Sequence, residues 1–89
     1  MIENLREQFY NIEKERFVLV DKYIKGIINI DEVNKFGKTL EEFKKVLYNI
    51  EIEEAIVLEI AKMKSMIQHY YTEIMEDEEL LNIAYSNKF

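Results

Sequence analysis

The sequence predicts an all-α protein, built as an antiparallel bundle of three main helices with a short fourth helix as an alternative ending. Proline is absent from the 89 residues and glycine occurs only twice, so few residues interrupt a helix. Apolar residues recur at alternating steps of three and four, which places their side chains on one helical face. The turns between these stretches are short, so neighbouring helices should run antiparallel. We expect residues 1–89 to form one helical domain.

The first predicted helix covers residues 2–25. The stretch Phe17–Val20 is apolar throughout, and its residue types also suit a strand. We favour a helix buried on more than one side, because the helical pattern runs through this stretch. The apolar face that defines the pattern consists of Ile2, Leu5, Phe9, Ile12, Tyr23 and Ile24.

A tight turn is predicted at residues 26–29. Gly26 follows the first helix and can adopt the left-handed conformation that ends many helices. Asn29 can cap the next helix, with Glu32 reaching back to the Asn29 amide in a capping box. Ile28 and Val33 have the spacing of a hydrophobic staple across this cap.

The second predicted helix covers residues 30–48. Gly37 lies inside it at a cost of roughly 1 kcal/mol relative to alanine, which we attribute to close approach of a neighbouring backbone. Asn49 is predicted to end the helix, since asparagine tolerates a left-handed cap. The apolar face of this helix comprises Val33, Phe36, Leu40, Phe43, Leu47 and Ile50.

The third predicted helix covers residues 51–75, with Glu51, Glu53 and Glu54 in the first turn, where acids complement the helix dipole. Beyond it, one continuous helix over 51–85 and a break followed by a short helix at 77–85 both fit the pattern. We favour the break with Asp77 as cap, because a carboxylate within a packed apolar face is costly. The face consists of Ile56, Ile60, Met63, Ile67, Tyr70 and Ile74.

Composition and charge exclude several classes of function. The net charge is −6, and residues 51–89 carry all of this excess, with nine acids and three bases. Without a lysine and arginine cluster, direct nucleic-acid binding is not expected. The absence of cysteine excludes disulfides and thiolate metal sites and fits a cytoplasmic protein. Met1–Arg6 is polar and no long apolar run occurs, so neither a signal peptide nor a membrane span is expected. The Ile, Lys, Asn and Glu bias is typical of bacteria or phages.

Residues 21–32 resemble a calcium-binding EF-hand loop at three positions. Asp21 falls at the first ligand position, Gly26 at the sharp turn and Glu32 at the final bidentate position. Tyr23 and Lys25, however, occupy the third and fifth positions, where oxygen ligands are required. The sequence therefore predicts a capped helix–glycine–helix turn and no calcium site.

No constellation for catalysis or metal binding is recognisable in the sequence. His69 is the only histidine, and Glu73, one helical turn later, is its only evident companion. A zinc site needs three or four ligands. A glycine-rich phosphate loop and a glycine-flanked nucleophilic serine are also missing. We therefore expect neither enzymatic activity, nor a cofactor, nor a metal.

The remaining signals indicate contacts with proteins. An acidic segment, residues 73–79, is flanked by tyrosines, which supply contact area at low entropic cost. The apolar residues also exceed what three helix faces need, which favours a homo-oligomer. For partner binding we select Tyr70, Tyr71, Glu73, Glu76, Asp77, Glu78 and Glu79. For self-association we select Val18, Val20, Ile24, Ile27, Val57, Leu58 and Met66.

Three functional hypotheses follow. The first is a small helical protein–protein interaction module that acts as an adaptor or regulator. The second is a phage or mobile-element inhibitor whose acidic segment blocks a basic nucleic-acid-binding host protein, in which case binding should weaken with salt. The third is a structural subunit of a larger assembly.

Overall fold

A computed structural model describes residues 2–88, and over this range all regular secondary structure is helical. The helices are α1 (Ile2–Ile24), α2 (Ile30–Asn49), α3 (Val57–Met75) and α4 (Glu78–Ser86), with a 3-10 turn at Glu54–Ile56 before α3. The all-α prediction is confirmed. Residues 2–88 contain four α-helices, and the break that we favoured near Asp77 is present.

The helices form an elongated bundle of 46 × 18 × 17 Å. Helix α2 packs against both α1 and α3, while α4 contacts all three and closes one end. Ion pairs join Arg6 to Glu59 and Arg16 to Glu73, so α1 and α3 run in the same direction and α2 runs opposite to both. The buried core comprises Leu5, Ile12, Leu19, Ile28, Ile30, Val33, Phe36, Leu40, Phe43, Leu47, Ile60, Met63, Ile67, Tyr70, Ile74, Leu80 and Ala84.

The turn between α1 and α2 has the predicted geometry. Gly26 is left-handed, with φ of 73°. The Asn29 side chain accepts from the Asp31 amide at 2.7 Å, and Glu32 accepts from the Asn29 amide at 3.3 Å. Ile28 and Val33 are both fully buried. The chain therefore reverses direction with the first turn of α2 capped from within.

Helix α1 is buried on one side only, which corrects the prediction for Phe17–Val20. Leu19 is buried, but Phe17 is 71% exposed and Val18 is 50% exposed. Successive residues of a helix point about 100° apart, so four in a row cannot all face the single side that α2 and α3 cover. A run of apolar residues does not by itself show burial within one chain.

The connection between α2 and α3 also differs from the prediction. Asn49 is not left-handed: its Nδ2 donates to the Lys45 carbonyl at 2.7 Å, and the chain leaves α2 through extended Ile50, with φ −87° and ψ 152°. Helix α3 begins at Val57 instead of residue 51. Ile50 and Ile56 both pack against the core. The residues between them form the connection from the end of α2 to the start of α3, so they are not part of α3 as predicted.

Gly37 accommodates the Met75 side chain and not a neighbouring backbone, which corrects the reason predicted for a glycine inside α2. A methyl group added at Gly37 would lie 2.6 Å from Cε and 2.9 Å from Sδ of Met75, the last residue of α3. Such distances are far shorter than ordinary carbon contacts. Glycine thus lets the end of α3 lie against the middle of α2.

A cap from Asp77 starts α4, as predicted. Its side chain accepts from the Leu80 amide at 2.9 Å, which satisfies one free amide of the first turn. Leu80 and Ala84 are buried against the bundle. No helix within residues 2–88 has the length and apolar character that crossing a membrane would require.

Candidate protein-binding surfaces

The outer face of α1 carries a row of exposed apolar side chains. Tyr10, Phe17 and Ile24 follow one another at intervals of seven residues, so they lie on the same face. Their exposed fractions are 60%, 71% and 78%. We call these three residues the α1 row. Exposed apolar residues are common singly, but an aligned row is typical of a surface on which another helix packs.

Charged residues border the α1 row along one edge. Lys14 lies between Tyr10 and Phe17, with its Nζ 4.7 Å from the centre of the Tyr10 ring. Asp21, seven residues further on and thus on the same edge, lies between Phe17 and Ile24 and pairs with Lys25 at 2.9 Å. One half of the edge is therefore positive at Lys14, and the other half carries a carboxylate.

Helix α1 is held in place by polar links to α3, so the α1 row is presented on a fixed scaffold. Arg16 donates to both carboxylate oxygens of Glu73, at 2.7 and 2.9 Å. The Tyr70 hydroxyl donates to Glu13 at 3.1 Å. Burial, followed by this hydrogen bond, raises the pKa of Tyr70 to about 12, so the hydroxyl keeps its proton to a higher pH than an ordinary tyrosine does.

A second bidentate pair joins the starts of the same two helices. Arg6 donates to both oxygens of Glu59, at 2.6 and 2.8 Å. The hydrogen bond from Arg6 holds the pKa of the Glu59 carboxyl below its ordinary value. Both arginine–glutamate pairs therefore link α1 to α3 through charge-assisted hydrogen bonds.

The residues selected for self-association do not share one surface. Val20 and Ile24 lie near the C-terminal end of α1, and Ile27 lies in the turn that follows it. Ile24 belongs to the α1 row, and Ile27 is 58% exposed. Val18 lies next to Leu19 on the side that faces α2. Met66 is half-buried against the core.

Val57 and Leu58 lie at the opposite end of the bundle from Ile24. They are the first two residues of α3. The ion pair between Glu59 and Arg6 shows that the start of α3 lies beside the start of α1. Ile24 is eighteen residues from Arg6, or about 27 Å along the helix. Leu58 is 83% exposed and Val57 is 44% exposed, so this end carries a separate small apolar group.

Several residues selected in and beside the acidic segment have roles inside the fold. Tyr70 is buried, Glu73 is engaged by Arg16, and Asp77 caps α4. Tyr71 is half-buried on the side that faces α2. Glu76, Glu78 and Glu79 are exposed. The structure thus leaves three of the selected carboxylates at the surface, and their binding to a basic protein stays a prediction.

A small basic patch around Tyr48 was not predicted from the sequence. Tyr48 is 61% exposed, and the Nζ atoms of Lys44 and Lys64 lie 6.0 and 4.3 Å from its ring centre. Lys44 is one helical turn before Tyr48 on α2, whereas Lys64 comes from α3. Only the fold brings the two lysines together, so spacing in the sequence could not reveal the patch.

The carboxylates considered as metal ligands are used in ion pairs. Asp21 pairs with Lys25, and Glu32 pairs with Lys22. His69 Nε2 lies 3.7 Å from Glu73, which Arg16 already holds. Within residues 2–88, no group of three potential metal ligands comes together.

Tyr10 and Phe17 are the surface residues that sequence reasoning missed. Their signal was their spacing of seven residues, from Tyr10 to Phe17 and from Phe17 to Ile24, on a face distinct from the one that forms the core.

Comparison of the chain with models of protein families, with curated proteins and with solved structures gave no match. The surface of the chain itself is therefore the basis on which a function is proposed.

Proposed function

We propose that this chain is a non-catalytic protein-binding module, an adaptor or regulator that uses the outer face of α1 as its contact surface. The observation that carries the proposal is the α1 row, three large apolar side chains aligned along more than half of a helix and exposed to solvent. Burying a side chain such as Phe17 contributes about 1.5–3 kcal/mol, so covering the row would supply substantial binding energy.

Rigidity of the contact helix supports the same proposal. Arg6 and Arg16 tie α1 to α3, and the Asn29 cap fixes the turn that follows α1. A surface that is already ordered loses little entropy when a partner binds. The proposal also fits the size of the chain, because a domain of this length buries only a modest share of its surface alone.

The matched pair Tyr10→Ser and Tyr48→Ser tests this proposal. Both tyrosines lie on helices, are 60% and 61% exposed, and have a lysine one helical turn away near the ring. The native mass of the chain in extract from cells that produce it should exceed the monomer mass. We expect Tyr10→Ser to lower this mass and Tyr48→Ser to leave it unchanged.

Two results would contradict a contact on α1, and a separate variant tests the acidic segment as the alternative surface. Equal effects of the two variants, or no effect of either, would contradict a contact on α1. The inhibitor hypothesis places the contact on the acidic segment instead, where Glu76, Glu78 and Glu79 are exposed. It predicts that reversing these three charges to lysine, and not changing Tyr10, lowers the native mass.

A further inference from the structure

We infer that the α1 row is covered by a second copy of this chain, with the two α1 helices antiparallel and Phe17 near the two-fold axis. This inference rests on the proposed function, because it names the partner of that same surface.

The α1 row is symmetric in position about Phe17. Tyr10 lies seven residues before Phe17 and Ile24 lies seven residues after it. In a two-fold symmetric contact, each residue meets its counterpart across the axis. An antiparallel pair of α1 helices therefore places Tyr10 of each chain opposite Ile24 of its partner, and Phe17 meets the partner's Phe17. All three exposed side chains are then covered.

Charges on the edge of the row complement each other only in this orientation. Lys14 and Asp21 lie on the same edge, three and four residues from Phe17 on either side. A two-fold axis perpendicular to α1 keeps that edge on the same side in both chains and brings Lys14 level with the partner's Asp21. Two ion pairs result, one from each chain. In a parallel pair the two edges lie on opposite sides of the contact, and these ion pairs do not form.

The ion pairs select the orientation, and the apolar row supplies the affinity. Exposed ion pairs contribute little binding energy, and Asp21 already has Lys25 at 2.9 Å. Charge placement nevertheless decides between registers and orientations of a helix pair.

Single-cysteine variants can test the orientation, because the natural chain contains no cysteine. Tyr10→Cys and Ile24→Cys are surface substitutions, and circular dichroism would confirm that both variants fold. A disulfide forms when Cα atoms come within roughly 7 Å of each other. Under a mild oxidant, we expect an equimolar mixture to form the mixed disulfide faster than either variant alone links to itself. Preferential self-linking of Tyr10→Cys would overturn the antiparallel arrangement.

Charge reversal provides a second test that leaves the apolar row intact. Lys14→Glu and Asp21→Lys should each weaken the dimer about tenfold, measured by sedimentation equilibrium, since each creates two like-charge contacts. Mixing the two variants should restore wild-type affinity, because every contact is then between opposite charges. No restoration would overturn the inference.

The mass of the wild-type chain separates this inference from the proposed function. A concentration-dependent dimer is expected on dilution of the pure protein. A monomer at all concentrations would overturn the dimer. The proposed function would survive that result if Tyr10→Ser still lowered the native mass in extract, because a different protein would then cover the row.

Discussion

Asn29 and Asn87 join the end of α4 to the turn between α1 and α2 through hydrogen bonds. Asn29 Nδ2 donates to the Asn87 carbonyl oxygen at 2.8 Å. Asn87 Nδ2 in turn donates to the carbonyl oxygens of Gly26 at 2.8 Å and of Ile28 at 3.1 Å. Asn29 thus caps α2 with its side-chain oxygen and holds α4 with its nitrogen. This link closes the end of the bundle where Ile24 and Ile27 are exposed.

Loss of the Asn87 side chain should loosen that end. We expect Asn87→Ala to lower the free energy of unfolding by about 1–2 kcal/mol, because two backbone carbonyls lose their donor. Asn82→Ala is the matched control: Asn82 is exposed on α4, five residues before Asn87, and its replacement should change stability by less than about 0.5 kcal/mol. Urea unfolding measures both variants. Equal losses would show that the link does not hold α4.

Stability should fall at high pH because of Tyr70. Its pKa is raised to about 12, above the value near 10 of an unfolded chain, so the folded state binds this proton more tightly. The contribution is complete below pH 10 and is lost as the pH rises through 12, with a total of roughly 2–3 kcal/mol.

The variant Tyr70→Phe isolates this effect. It lacks the titrating hydroxyl, so its unfolding free energy should decline less steeply between pH 10 and pH 12 than that of the wild type. At pH 7 it should be less stable by about 1 kcal/mol, since the hydrogen bond to Glu13 is lost. Urea unfolding across this pH range gives both values. Parallel curves for the two proteins would contradict the assignment to Tyr70.

Gly37 and Met75 should be coupled energetically. Alanine at position 37 gains about 1 kcal/mol in helix propensity but displaces the Met75 side chain, so Gly37→Ala alone should be nearly neutral. In the Met75→Ala background the clash is absent, and Gly37→Ala should stabilise by about 1 kcal/mol. A double-mutant cycle from urea unfolding measures the difference. The same effect in both backgrounds would show that the two residues are independent.

The two arginine pairs should differ in their contribution to stability. The Arg16 side chain is 30% exposed in its pair with Glu73, whereas Arg6 is 53% exposed in its pair with Glu59. Arg16→Met should cost about 1–2 kcal/mol, because it leaves a half-buried carboxylate without its donor. Arg6→Met should cost less, since water screens the more exposed pair. A larger loss for Arg6→Met would contradict this order.

The fold was largely predictable because its signals are local. Gly26, Asn29 and Glu32 carry the turn chemistry within seven residues of sequence, and Asp77 stands at the one point where the apolar face of the third helix is interrupted. The start of α3 was not predictable in the same way. It depends on how far the chain has to travel between Ile50 and Ile56, which is set by the separation of packed helices and not by helix propensity.

The binding surface was only partly predictable, because exposure is a property of the assembled bundle. Ile24 was identified from its surplus apolar character, but Phe17 was assigned to a doubly buried face. Glu73 was predicted to bind a partner, but its carboxylate accepts hydrogen bonds from Arg16, which lies 57 residues away in the sequence. Such pairings depend on which helices become neighbours, and charge patterns along one segment cannot reveal them.

Photo-crosslinking from the centre of the α1 row tests the central claim most directly. A photoreactive phenylalanine analogue in place of Phe17 preserves the aromatic side chain, and the same analogue in place of Tyr48 is the control. After irradiation of cells that produce the protein, we predict a discrete adduct from position 17, at the dimer mass, and none of comparable yield from position 48. Equal yields from the two positions, or none from position 17, would contradict the claim that α1 is the contact surface.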